Sequence, residues 1–112
     1  MENDRELLEL AAKAAGVGLI SWTNIYDACD EIGGRFITQP RGEPWNPLAD
    51  DGDALRLAVR LGLEVITSGA QVVQAVDYVS KAYGEAKRGN DPYASTRLAI
   101  VRAAAAIGKA MK

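Results

Sequence analysis

Apolar residues recur at helical spacing three times along the chain, and strand-like runs fill the intervals between them. Leu7, Leu10, Ala11 and Ala14 form one stripe on a helix expected over 4–15. Asn3 is its cap, Glu6 completes a capping box, and Gly16 is a natural left-handed stop. Two β-rich runs follow, 19–26 and 35–38, on either side of a segment that ends in Gly33-Gly34. They predict a hairpin whose connection contains the glycine pair. Ile20, Trp22 and Tyr26 share one face of the first run, with Leu19 and Ile25 on the other.

Residues 39–50 hold Pro40, Pro44 and Pro47 and read as a stiff surface loop pinned by Trp45. A second helix is expected over 51–61, capped by Asp50 or Asp51 and closed by Gly62. Its apolar residues Ala54, Leu55, Leu57, Ala58, Val59 and Leu61 span roughly 200° of the wheel, which predicts burial on more than one side and makes this the most enclosed helix. A short strand over 63–67 and a turn at Ser68-Gly69-Ala70 come next. The valines of 71–79 fit a helix at Val72, Val76 and Val79, but favour a returning strand. Residues 85–90 read as a polar connection. Asp91-Pro92 opens the last helix, with a core stripe of Tyr93, Ile100, Ala104, Ile107 and Met111. Its alanine run, 103–106, lets a neighbour approach closely. Leu98 lies off that stripe, as an exposed contact or as part of a second buried side.

The expected order is α-β-β-α-β-β-α. It describes one α+β domain over 1–112, with a small antiparallel four-stranded sheet and three helices on one or both of its faces. The 112 residues, 48% hydrophobic and 25% charged, suit a single globular domain. No apolar run approaches a membrane span, and the acidic start does not read as a signal peptide. Cys29 is the single cysteine, which fits a reducing, cytoplasmic setting and a small packed side chain.

The chain has no histidine, so a Ser-His nucleophile and the usual zinc sites are excluded. Asp50-Asp51-Gly52-Asp53 contains carboxylates suited to calcium or magnesium, but the EF-hand spacing is absent and helix capping explains the cluster. Gly33-Gly34-Arg35 lacks any phosphate-loop fingerprint and reads as a turn. No metal or cofactor is expected, and no spacing of acids and bases favours an enzyme.

Net charge is −2 but unevenly spread: residues 1–55 carry eleven acids and four bases, and residues 76–112 carry seven bases and three acids. Such polarity steers partners or pairs a chain with itself, and equally describes solvated helix faces. The few aromatics do not favour nucleic acid. A protein-binding surface is the expectation, carried by Trp22, Tyr26, Arg35, Arg41 and Trp45, residue types enriched at interface hot spots. Both tryptophans also suit a core.

Three blocks carry a family resemblance: Arg5 to Gly16, Trp45-Asn46-Pro47-Leu48-Ala49-Asp50-Asp51-Gly52-Asp53-Ala54-Leu55-Arg56-Leu57-Ala58-Val59, and Thr96 to Ala105. Together they resemble small bacteriophage and prophage proteins of the phage ABA-sandwich domain family. The resemblance implies helices on both faces of a small antiparallel sheet, and no catalytic residue. The expected role is a phage-encoded accessory protein that binds a host protein in the cytoplasm and occludes it, as an anti-CRISPR or other anti-defence factor does. A binder or sponge for a nucleotide signal, with a pocket formed within one chain or between two copies, is the alternative.

Overall fold

The computed structural model describes residues 3–17, 19–27, 30–38 and 44–111. The described residues form three helices: α1 (Asp4–Ala15), α2 (Asp51–Leu61) and α3 (Pro92–Ala110). Each begins where a side chain satisfies backbone N–H groups that have no partner within the helix. The Asn3 side chain accepts from the Glu6 amide, Asp50 from the Asp53 amide, and Asp91 from the amides of Tyr93 and Ala94. Gly16 and Gly62 end α1 and α2 at φ 70° and 66°, a left-handed conformation that glycine adopts without strain.

Among the described residues six strands, rather than four, lie between the helices. They form two antiparallel sheets, β1 (Leu19–Asp27), β2 (Asp30–Thr38) and β3 (Pro44–Trp45), then β4 (Glu64–Ile66), β5 (Val72–Val76) and β6 (Tyr83–Lys87). The α+β class stands, and the single four-stranded sheet is corrected. Two weakly patterned segments account for the additional strands. Pro44-Trp45 pairs with Ile37 and Phe36 out of the proline-rich loop. Tyr83–Lys87 occupies part of the segment read as a polar connection: Gly84 and Ala86 are its buried positions, and Tyr83, Glu85 and Lys87 are exposed. An edge strand whose inward residues are glycine and alanine carries little hydrophobic signal.

Gly33 and Gly34 are not a turn. Both lie within β2, where the register slips between Thr23↔Arg35 and Ile25↔Ile32, so the pair accommodates a bulge. The valine-rich segment returns as β5, in agreement with the strand reading.

The core centres on α3. Ala99, Ile100, Val101, Ala103, Ala104, Ala105 and Gly108 are all buried, so α3, and not α2, is the most enclosed helix. It packs against α1 along one side and against β5 and β6 along another. Two glycines set how closely. A Cβ at Gly108 would overlap the backbone carbonyl of Leu10, and one at Gly84 would overlap the Ala99 carbonyl and the Ala103 amide of α3. Small residues on both sides bring backbones together and remove apolar surface that larger side chains would hold apart. Leu98, off the expected stripe, packs half-buried against this core.

The expected stripe on α3 holds at Ile100 and Ala104 and fails at its ends, where Tyr93 and Met111 are exposed. On α2 only Ala54, Leu57 and Ala58 are buried. Leu55 and Val59, expected to face a second neighbour, are instead 63% and 72% exposed, and α2 packs chiefly against α3. Among the described residues, no helix is long and apolar enough to cross a membrane.

Candidate functional site

The Trp45–Asp53 segment is a structural clamp. Trp45 is 9% exposed and Pro47 is fully buried. The Asn46 amide donates to Asp53 Oδ2 (2.9 Å), and Asn46 Oδ1 accepts from the Leu48 amide (3.0 Å). Arg97 crosses from α3, donating through Nε to the Leu48 carbonyl (2.9 Å) and pairing with Asp51 (2.6 Å). Asp53 also accepts from Arg56 (2.8 Å). Each of the three clustered aspartates therefore has a structural partner. Among the described residues, no group of three or more histidine, cysteine, aspartate or glutamate side chains is placed to hold a metal ion.

This clamp forms one wall of a groove of about 600 Å³ between the N-terminal turns of α2 and α3. Ala54 and Leu55 line it from α2, Tyr93 and Arg97 from α3, and Thr67 and Arg88 from the loops beside the second sheet. Arg88 donates to the carbonyls of Thr67 (2.5 Å) and Gly69 (3.3 Å), which fixes the β4–β5 connection. Its guanidinium forms no ion pair among the described residues. Tyr93, 71% exposed, and Leu55 share the groove, and Val59 lies one helical turn beyond Leu55. The result is an apolar ridge beside a cation that has no ion pair among the described residues, near the capped N-termini of α2 and α3.

The described groups with a clear pKa displacement lie elsewhere, on the second sheet and its β5–β6 tip. The Ser80 hydroxyl and then the Val79 amide hold the Asp77 carboxyl below its usual value. Hydrogen bonds to Glu64 and to Glu85 raise the phenols of Tyr78 and Tyr83, respectively.

Of the five residues expected to bind, the structure disfavours one. Trp45 belongs to the buried core cluster, so it is not carried forward as an exposed contact. Trp22 and Tyr26 lie on β1 and Arg35 on β2, with backbone registers Trp22↔Phe36, Thr23↔Arg35 and Tyr26↔Glu31. Arg41 lies outside the described residues. Sequence reasoning missed Leu55, Val59, Tyr93 and Arg88. The one available signal was the excess width of the apolar arc on α2, which was read as burial. No protein-family model, curated protein or solved structure matches the chain.

Proposed function

We propose that this protein is a non-catalytic binding module that acts by covering a functional surface of a host protein. The observation that supports the reading is the exposed Leu55–Val59–Tyr93 ridge beside Arg88. Apolar side chains left outside on a folded scaffold, next to a cation with no ion pair among the described residues, suit a protein surface with an apolar anchor and an acidic rim. Trp22, Tyr26, Arg35 and Arg41 stay in the proposal as a second contact region on and beyond the β1–β2 hairpin. The phage setting and the anti-defence role, CRISPR inhibition included, rest on the sequence resemblance alone.

The test is a tagged protein exposed to host lysate, with captured partners identified and their affinities compared for the wild type and a Leu55→Asp/Tyr93→Ala variant. Both positions are exposed, so the variant is expected to keep its melting temperature. Affinity is expected to fall about a hundredfold, as for two interface anchors. A folded variant that retains its partner defeats the assignment of this surface.

One observation favours the nucleotide-binding alternative: a tyrosine ring, Arg88 and Arg97 converge on the same groove. An aromatic face stacks a base, and a guanidinium pairs with a phosphate. A rise in melting temperature on adding mono- and dinucleotides, absent in Tyr93→Ala, supports that reading by linkage.

A further inference from the structure

We draw no further inference here: the strongest candidate, the edge of β6 with the groove it forms against α1 and α3, is lined by Glu6 and Glu85 and equally by Arg102 and Lys109, and nothing in the structure shows what covers it.

Discussion

Gly108 of α3 lies directly against the backbone carbonyl of Leu10 of α1, with no room for a Cβ between them. This contact sets the spacing of the two helices and, through it, the burial of Leu7, Leu8, Ala11 and Ala12. Gly108→Ala should therefore force the helices apart, despite the better helix propensity of alanine. A loss of about 1–3 kcal/mol is expected from overpacking, measured by urea denaturation. A neutral or stabilising result would mean that α1 shifts freely on α3.

Trp45 and Leu55 should separate core from surface. Trp45→Ala removes a buried indole and is expected to destabilise by about 3–5 kcal/mol. Leu55→Ala and Val59→Ala touch exposed side chains and should stay within about 0.5 kcal/mol of wild type. Thermal denaturation of the three variants checks this. A large loss at Leu55 or Val59 would show that something in the folded chain covers α2.

Arg97 ties two segments together through the Leu48 carbonyl and Asp51. Arg97→Ala should destabilise by about 1–2 kcal/mol, chiefly through the half-buried carbonyl left without its donor. The Asp51 side chain is exposed, so that ion pair adds little, and Asp51→Asn should be mild. Arg97→Lys should not restore the loss, because an ammonium cannot serve both acceptors with the same fork geometry. Chemical denaturation of the three variants provides the check.

Two pH dependences follow from the second sheet. Asp77 has a folded pKa below its usual 3.8, because its carboxylate accepts from the Ser80 hydroxyl and the Val79 amide. A depressed carboxyl stabilises above its unfolded pKa, and the contribution is lost as pH falls through the folded value. The Val79 amide should therefore exchange faster, relative to its neighbours, only in strong acid. Tyr83 behaves in the opposite sense. Its phenol donates to Glu85 (2.5 Å), which raises its pKa above 10.0. That contribution is complete below the unfolded pKa and is lost as pH rises through the raised one. An ultraviolet titration of the tyrosines should show Tyr83 ionising late, and Glu85→Gln should bring it back toward the usual value.

Much of the helical framework was legible. All three helix starts were readable because a cap acts on amides two or three residues away, as Asp91 does for Tyr93 and Ala94. Gly16 and Gly62 are equally local. The β6 strand was not legible, because Gly84 and Ala86 acquire their strand role only by lying against α3 and β5. The candidate site was least legible. Leu55 and Val59 carry the same apolar signal as Leu57, and nothing in their spacing says which neighbour is missing.

The sequence by itself determined the three helix starts, the glycine stops of α1 and α2, the α+β class and the absence of histidine chemistry, because these depend on residue identity and on contacts a few positions apart. Only the tertiary structure decided which apolar faces are covered and how the strands pair. Those outcomes depend on pairings between distant segments, such as Gly108 with Leu10, and on where the supply of neighbours runs out.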